Sequence, residues 1–429
     1  MKSFSLQGEA LNRRQVEEAV RAWLDNLQVN LKKVLLLPPD FTRSHSGAGM
    51  ITQIIYRMLS PACRVDIMPA LGTHAPMNEQ ERTTMFGGIP AERFSVHDWR
   101  NDVVKIGEIP AGYVAHLSGD LLRYSVAVEI NKRLVDKSYD LIVSIGQVVP
   151  HEVAGMANYN KNIFVGCGGK NIIDKSHFLG AACGMEQIMG RDHSPVRRLF
   201  DHAEERFLGD LPLQYILTVT TTGLNDELRL NGLYIGRNRR LFEEAVRCSR
   251  QRNIFFLEKP LPKVVVYLDP AEFKSTWLGN KAIYRTRMAV ADGGELVIIA
   301  PGLKQFGEDE MIDKLIRKYG YVGRDRILEL AAAGEDLRSN LSAAAHLIHG
   351  SSEGRFRVIY APGFLKKTEI EQVGFAYMTP EEAEKRYNPH VLQEGFNTMP
   401  NGEEVYFIKN PALGLWVQKS TFPDGGPDS

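Results

Sequence analysis

Short apolar runs alternate along the chain with stretches in which apolar residues recur every three or four positions. Runs such as KVLLL (33–37), LIVSIGQVV (141–149) and VVVYL (264–268) have the length and composition of buried strands. Stretches such as LNRRQVEEAVRAWLDNL (11–27) have the spacing of an amphipathic helix. Strands that alternate with helices are typical of parallel sheets covered by helices, so the pattern predicts an α/β fold.

The alternation starts a second time near Pro260, with PKVVVYLD, KAIYRTRMAV, GGELVIIAPG and DEMIDKLIRKYG as strand, helix, strand and helix. A chain of 429 residues is also too long for one hydrophobic core. We therefore predict two α/β domains, residues 1–258 and 259–429, each with a mostly parallel sheet flanked by helices. A long amphipathic helix is predicted for 238–258, and the tail 421–429 is expected to fray.

Residues able to do acid–base or binding chemistry follow several of the predicted strands. Asp40 and Arg43 follow KVLLLPP, His74 follows VDIMPALGT, and His151 follows LIVSIGQVVP. Ligands of open parallel sheets bind at the carboxyl ends of the strands, and a neutral histidine can accept a hydroxyl proton near pH 7. Each residue alone also has an ordinary structural interpretation, such as a helix cap or a surface ion pair.

A glycine-rich turn, GCGGK (166–170), lies between Lys161 and His177. It is not a Walker A loop, because no serine or threonine follows its lysine. Cys167 in this turn is interpreted as a small packed residue, and the four cysteines have no CxxC spacing, so reduced thiols are expected. From the residues alone, proton transfer on a small acid and a zinc site made of three histidines both stay open.

Composition and charge narrow the classes of partner. The 52 basic and 52 acidic residues balance, so no field attracts nucleic acid or an anionic membrane. The apolar runs are shorter than the roughly 18 residues that cross a bilayer, and MKSFSLQGEALNRR lacks the apolar segment of a signal peptide. We expect a cytoplasmic protein with a small neutral or anionic ligand, and the sequence does not indicate its oligomeric state.

Several sequence blocks together resemble the nickel-dependent lactate racemase family of 2-hydroxy-acid racemases and epimerases. They are PDFTR (39–43), ALGTH (70–74), PHxxAGxxxxxK (150–161), the histidine sixteen residues after that lysine, and Lys281 followed by Gly-Gly at 293–294. The blocks cover most of the chain in order. The resemblance implies an isomerase with its active site in the cleft between two α/β domains.

The resemblance also implies a cofactor, the nickel-pincer nucleotide, a pyridinium mononucleotide whose ring carbon and two flanking sulfurs hold nickel. His177 matches the protein ligand of the nickel, and Lys161 matches the lysine that forms a thioamide with the cofactor. His74 and His151 match the two acid–base histidines. Asp40 matches the acidic residue of the cofactor-binding N-terminal loop.

Substrate contacts are implied for Arg43, Lys281 and Trp277. Arg43 and Lys281 match residues that hold the substrate carboxylate, whereas Trp277 stands where the lactate branch has tyrosine, followed by glutamine. Residues 157–160, Ala-Asn-Tyr-Asn, stand where the lactate enzyme has Ser-Gly-Gly-Arg. These departures, with the form GGKNIIDKSHFLGAACGMEQIMGR, favour the sugar-acid branch, whose members act on gluconate or mannonate at C2.

The implied reaction inverts C2 of a 2-hydroxy acid by moving a hydride to the pyridinium ring and back, while a histidine takes the hydroxyl proton. D-gluconate and D-mannonate are the expected pair. Three alternatives remain at this stage: a racemase of lactate or another short 2-hydroxy acid, a hydrolase whose metal is held by His74, His151 and His177, and a carrier that binds the nickel cofactor without turnover.

Overall fold

A six-stranded sheet forms the centre of the first of two units in the computed structural model, which describes residues 3–222, 227–412 and 414–422. The first unit contains the residues up to Ser176 together with Met189–Asn253. The second contains His177–Ile188 together with the residues from Ile254 onwards. Most of the tail that was expected to fray lies outside the described residues, from 423 on.

The first unit alternates strands with helices, as the hydrophobic pattern predicts. Its strands are β1 (Phe4–Gln7), β2 (Lys33–Leu37), β3 (Arg64–Ile67), β4 (Val103–Ile109), β5 (Val126–Asn131), β6 (Leu141–Gln147), β7 (Pro150–His151), β8 (Gly155–Met156), β9 (Leu213–Thr222) and β10 (Leu228–Gly236). Its helices are α1 (Arg13–Asp25), α2 (Ala48–Leu59), α3 (Glu79–Phe86), α4 (Ala111–Ser118), α5 (Lys170–Cys183, whose last residues belong to the second unit), α6 (Pro195–Phe207) and α7 (Arg239–Asn253).

The main sheet of this unit has the order β1-β10-β9-β6-β2-β3. The strands from β9 to β3 are parallel, and β10 and β1 add to the β9 edge in antiparallel orientation. Every residue of β6 is buried, which is typical of a central parallel strand covered on both faces. On one face Val34, Leu36 and Val143 pack with Val16 of α1 and Ile51 of α2 in one apolar core.

Strand order reverses at β2, because β3 lies on one side of β2 and β6 on the other. Open α/β sheets bind ligands at such a switch point, outside the carboxyl ends of the strands. In this unit that place is formed by the residues after β2 and β6. Asp40 follows β2 and His151 follows β6, so the two residues come after the two strands that flank the switch point.

The second unit is built around another six-stranded sheet, of order β15-β14-β13-β12-β17-β16, in which only the β16–β17 pair is antiparallel. Its strands are β11 (Ile254–Leu257), β12 (Leu261–Tyr267), β13 (Val290–Ala300), β14 (Arg357–Pro362), β15 (Ala376–Tyr377), β16 (Gly395–Thr398), β17 (Glu404–Ile408) and β18 (Leu415–Gln418). Its helices are α8 (Thr276–Gly279), α9 (Lys281–Thr286), α10 (Glu310–Tyr319), α11 (Arg324–Ala333), α12 (Glu335–Ser339), α13 (Leu341–His349), α14 (Lys367–Gln372) and α15 (Pro380–Arg386). The predicted fold class, mostly parallel sheets flanked by helices, is confirmed.

Two predicted helices end earlier than the sequence pattern indicates. The helix predicted for 238–258 ends at Asn253, because Ile254–Leu257 form β11 and pair with β18. The helix predicted for KAIYRTRMAV ends at Thr286, since Val290 already belongs to β13. In both cases pairing with a distant strand outweighs local helical spacing. No helix in the described part of the chain combines the length and apolar composition needed to cross a bilayer.

Candidate active site

Asp40 and His74 form a hydrogen-bonded pair at the ends of neighbouring strands. The Asp40 carboxylate caps the short helical turn Phe41–Ser46 by accepting from the Thr42 N–H at 3.1 Å, and its Oδ2 lies 2.6 Å from His74 Nδ1. Burial alone would raise the pKa of Asp40, but the hydrogen bond and charge of His74, with Thr42 and Arg43, lower it. With an ionised Asp40, the proton of this bond lies on His74 Nδ1, and His74 Nε2 of the neutral ring keeps its lone pair.

His151 differs from His74 in that its Nδ1 accepts a hydrogen bond instead of donating one. It lies in the β7–β8 hairpin, only 5% exposed, and its Nδ1 accepts the Val153 N–H at 3.1 Å. The carboxylate of Glu152 lies 3.7 Å from the same nitrogen. Because Nδ1 is an acceptor, the proton of neutral His151 lies on Nε2. The two histidines predicted to act as acid and base therefore differ in tautomer: Nε2 is an acceptor in His74 and a donor in His151.

Lys161 brings a third reactive group to the same unit. Loss of hydration and the nearby positive charge of Arg43 lower the pKa of its ammonium to about 8, against the opposite effect of Glu152. No group among the described residues accepts a hydrogen bond from this ammonium. Asp40, Arg43 and Glu152 lie close enough to act on the charge of Lys161. The predicted residues Asp40, Arg43 and Lys161 are thus brought together.

Replacing Lys161 with methionine is expected to stabilise the protein below pH 8. The folded protein disfavours the ammonium form, so the penalty is present below the folded pKa of about 8 and is lost as the pH rises towards the unfolded value of about 10.4. At pH 7 we expect a free energy of unfolding higher by about 1–3 kcal/mol in Lys161→Met. Urea unfolding at pH 7 and pH 10 measures it.

The exposed Lys137 provides the control, because Lys137→Met should change stability little at either pH. A stability difference between Lys161→Met and the unmodified protein that stays constant from pH 7 to pH 10 would contradict the lowered pKa of Lys161.

The glycine-rich turn before α5 is packed against protein and does not form an open phosphate cradle. A Cβ on Gly168 would lie 1.8 Å from the Phe164 carbonyl oxygen, and one on Gly169 would lie 2.5 Å from the Glu129 carboxylate. That carboxylate also accepts the Asn171 N–H at 3.2 Å, near the start of α5. The anion that this helix terminus favours is therefore supplied by the protein itself.

His97 was not predicted as a site residue, but it supports this turn. It is buried, its Nε2 donates to the Gly168 carbonyl at 3.0 Å, and its Nδ1 accepts from the Asn131 amide at 2.9 Å. Burial lowers the pKa of His97, which keeps the ring neutral and this pattern intact. Burial also raises the pKa of Cys167, so the thiol is not activated, in agreement with a packed role. No sequence motif marks His97.

Gln147, the last residue of β6, is a second residue that sequence reasoning missed. Its Nε2 donates to Thr220 Oγ1 at 2.7 Å, and Thr220 gives its only hydroxyl proton to the His45 carbonyl at 3.1 Å. The amide orientation follows, because Thr220 can only accept from Gln147. The Gln147 carbonyl oxygen is then a buried acceptor with no partner in the described part of the chain, next to the switch point of the sheet.

The other predicted site residues belong to the second unit. His177 lies in α5 and is partly exposed. Trp277 of α8 stacks on the ring of His346 at 4.4 Å, and burial lowers the pKa of His346 to about 3, so this ring is neutral. Lys281 starts α9, and its ammonium lies 3.8 Å from the Glu272 carboxylate.

One group of three possible metal ligands occurs among the described residues, Asp192, His193 and Glu243. It is not the histidine set of the predicted zinc alternative. Asp192 already lies 3.4 Å from Arg250 and 3.9 Å from Arg239. Two guanidinium groups beside the carboxylate oppose the binding of a cation there.

Part of the chain is similar in sequence to known proteins of one family. Residues 5–188 match the family model described as the lactate racemase N-terminal domain. The chain is 28% identical over 161 residues to the lactate racemase of Lactiplantibacillus plantarum and 29% identical over 160 residues to that of Thermoanaerobacterium thermosaccharolyticum. Each alignment covers 36% of this chain and 34% of the relative, so the chain spans about a third of the length of the curated relatives it matches.

Solved structures share the fold over a longer range. A protein from Thermotoga maritima matches with a TM-score of 0.81 and 24% identity, covering 96% of this chain and 100% of its own. The lactate racemase apoprotein from T. thermosaccharolyticum matches with a TM-score of 0.70 and 18% identity, covering 95% and 93%. At this identity the structures show a common fold. By the family model and by both curated relatives, residues 5–188 of this chain are similar to the N-terminal domain of lactate racemases.

Proposed function

We propose that the protein is an isomerase that inverts C2 of a 2-hydroxy acid, with a sugar acid such as D-gluconate or D-mannonate as substrate and a nickel-pincer nucleotide as cofactor. The family of residues 5–188 and the two curated lactate racemases support the reaction class. The observation that carries the proposal is the opposite tautomer of His74 and His151.

Inversion needs one group that accepts the hydroxyl proton of the substrate epimer. It also needs a second group that donates a proton to the oxygen when the hydride returns to the opposite face of C2. His74, with Nδ1–H bonded to Asp40, has the lone pair of Nε2 available to accept a hydroxyl proton. His151, with Nδ1 accepting from Val153 and 3.7 Å from the Glu152 carboxylate, presents Nε2–H to the substrate oxygen. It acts as the acid in its imidazolium form and returns to the neutral ring when that proton is transferred. After one turnover the roles are exchanged, so either configuration meets a base.

The residues present fit the proposed cofactor in two respects. The amine of Lys161 is poorly hydrated, has a pKa near 8 and lacks a hydrogen-bond acceptor among the described residues, so it can bond covalently to a carbonyl-type group. The imidazole of His177 is a donor that suits nickel. When bound, the nickel-pincer nucleotide supplies reversible hydride acceptance at an electron-poor ring, which avoids a carbanion beside a carboxylate.

Substrate recognition is assigned to Arg43, Lys281 and Trp277. Arg43 offers a fork of two N–H groups that fits a carboxylate, and Lys281 adds a point charge. Trp277, held flat on His346, presents an aromatic face instead of the Tyr-Gln amide of the lactate branch. The exchange of Tyr-Gln for Trp277-Leu278 fits a substrate longer than lactate, such as a sugar acid. Lactate is the second candidate, because both curated relatives are lactate racemases.

The proposal is tested on protein co-produced with the enzymes that make the cofactor. Nickel and non-protein sulfur are measured first, and the protein is then incubated with D-gluconate or D-lactate in D2O. We expect nickel with sulfur, conversion of gluconate to mannonate, and no deuterium at C2, since a hydride does not exchange with solvent.

Each other outcome changes a defined part of the proposal. Turnover of lactate alone would move the substrate to the short 2-hydroxy acids. Deuterium at C2 would replace hydride transfer by proton abstraction. Zinc without sulfur would favour the hydrolase, and nickel with sulfur but no turnover of any 2-hydroxy acid would favour the carrier.

Replacing Asp40 with asparagine is expected to lower epimerisation by about 10²-fold. An asparagine amide at this position can donate to His74 Nδ1, which moves the ring proton to Nε2 and removes the base. Initial rates of both directions measure the effect, and Thr42→Val, which removes only a partner of Asp40, is the control with a smaller loss. Unchanged rates in Asp40→Asn would show that the tautomer of His74 does not matter.

A further inference from the structure

Residues at the start of helix α6 form hydrogen bonds to the loop between His151 and Lys161. Ser194, which caps α6, donates to the Ala154 carbonyl at 3.1 Å. Arg197, one turn later and completely buried, donates through Nη2 to the carbonyls of Met156 at 2.6 Å and Asn158 at 3.3 Å. Its Nη1 bonds to the side chain of Asn160. One guanidinium thus binds three alternate residues of the loop.

The loop that Arg197 binds has a strained backbone. Asn158 and Tyr159 have φ values of 61° and 57°, the left-handed region that costs a residue with a Cβ about 1–2 kcal/mol. Asn158 offsets part of this cost by accepting the Tyr159 N–H with its own Oδ1 at 2.7 Å. The Tyr159 ring packs against Tyr215 and Phe242. Such a conformation persists only where the surroundings determine it.

Arg197 is a buried cation that contacts no carboxylate within the described residues, although the charges of Asp201 and Glu204 offset part of its burial. Its hydrogen bonds go to carbonyl and amide oxygens, its Nε has no partner in the described residues, and its guanidinium stacks on Phe242 at 4.5 Å. Burial lowers the pKa of Arg197 to about 10. A buried charge that lacks an ion pair is costly, and a neutral apolar residue would fill the space without this cost. Its positive charge also acts on Lys161.

We propose that Arg197 is a positioning residue, which holds the left-handed Asn158–Tyr159 pair and thereby fixes the place of the Lys161 amine relative to His151. Arg197 touches neither reacting atoms nor substrate in this assignment. The link to cofactor binding rests on the proposed function, because it requires Lys161 to hold the cofactor. The role of Arg197 in holding the loop does not depend on the proposed function.

A general packing role makes a different prediction from a positioning role. If Arg197 only stabilises the fold, its loss lowers the protection of all slowly exchanging amides equally. If it positions the loop, the amides of Ala157, Tyr159 and Asn162 lose more protection than the strands β6 and β9.

Arg239 offers a matched control for Arg197. It stacks on the same Phe242 ring at 5.0 Å and binds Asp201, and among the described residues none of its hydrogen bonds goes directly to residues 151–161. Its link to the loop is indirect, because Asp201 accepts from the Asn160 amide at 2.7 Å. Arg239→Met should therefore change the hydrogen exchange of the loop less than Arg197→Met does.

The experiment uses the full chain without cofactor, as Arg197→Met, Arg197→Lys and Arg239→Met beside the unmodified protein. Hydrogen exchange of the loop amides and NMR titration of 13C-dimethylated Lys161 are the readouts. In Arg197→Met we expect loop exchange about tenfold faster or more, with β6 and β9 changed less, and an upward shift of the Lys161 titration midpoint. Arg197→Lys keeps the charge but not the two-nitrogen fork, so its loop should also exchange faster, to a smaller extent.

The proposal is overturned if Arg197→Met lowers protection equally in the loop and in β6 and β9, or if its loop exchanges no faster than that of Arg239→Met. Unchanged loop exchange in Arg197→Lys also overturns it. Nickel content after co-production with the cofactor-making enzymes tests the dependent step, and we expect it to fall in Arg197→Met but not in Arg239→Met. Faster loop exchange with full nickel content supports positioning and overturns the role of Lys161 in holding the cofactor.

Discussion

Alanine at His74 or at His151 should each lower epimerisation by about 10²- to 10⁴-fold, the range by which a positioned acid or base speeds proton transfer. His74→Ala removes the Nε2 lone pair that Asp40 keeps available, and His151→Ala removes the Nε2 proton that the Val153 N–H keeps in place. Each cycle needs one group to accept and the other to donate, so both directions should slow in either variant. Chiral analysis of initial rates from each epimer measures the effect.

Nickel content separates a chemical role from a loss of cofactor in these variants. Neither histidine is assigned to the metal, so both variants should retain nickel. His116 is exposed on α4 and provides a control, because His116→Ala should keep both activity and nickel. Full activity in His74→Ala or in His151→Ala would remove that histidine from the acid–base assignment.

Replacing His177 with alanine should abolish nickel binding while leaving the fold intact. The partly exposed ring of His177 is assigned as the protein ligand of nickel, so its loss removes the direct bond from the chain to the metal and leaves the nickel to the three weaker-held donors of the cofactor. The measurement is nickel per chain after co-production with the cofactor-making enzymes, together with far-ultraviolet circular dichroism as a check on folding.

His193 is the matched control for His177. It is exposed and belongs to the group Asp192, His193 and Glu243, which could hold a metal ion by distance alone. Nickel lost in His177→Ala and kept in His193→Ala supports the assignment. The reverse result would move the metal to the acidic group, despite Arg239 and Arg250 beside Asp192.

The ends of the strands that lead to the site were predictable from local sequence. Each apolar run before Asp40, His74 and His151 stops at proline or glycine, which ends a strand and places the next polar residues beyond its carboxyl end. The order of the strands was not predictable in this way, because the pairing of β2 with both β3 and β6 joins residues far apart in the chain. Local pattern therefore indicated the candidates but not that they share a switch point.

The features that sequence reasoning missed depend on contacts that have no local signal. Asn158 and Tyr159 read as ordinary loop residues, although both take the backbone conformation that usually requires glycine. Arg197 lies among charged residues near the start of α6, and nothing in PVRRLF distinguishes the buried arginine from Arg198 beside it. The roles of Asn158, Tyr159 and Arg197 depend on the groups that surround them in the folded chain. Those surroundings are set by contacts between distant segments, which local sequence does not show.

The unequal exposure of the two histidines has a kinetic consequence. The side chain of His74 is 55% exposed and that of His151 is 6% exposed. A proton held on His74 can exchange rapidly with bulk water, whereas one on His151 is shielded from it. The equilibrium between two epimers cannot depend on this difference, but the two directions can approach it with unequal solvent isotope effects. At saturating concentrations of each pure epimer, the ratio of the initial rate in H2O to that in D2O should therefore differ between the two directions. Equal ratios would mean that both protons reach solvent equally fast.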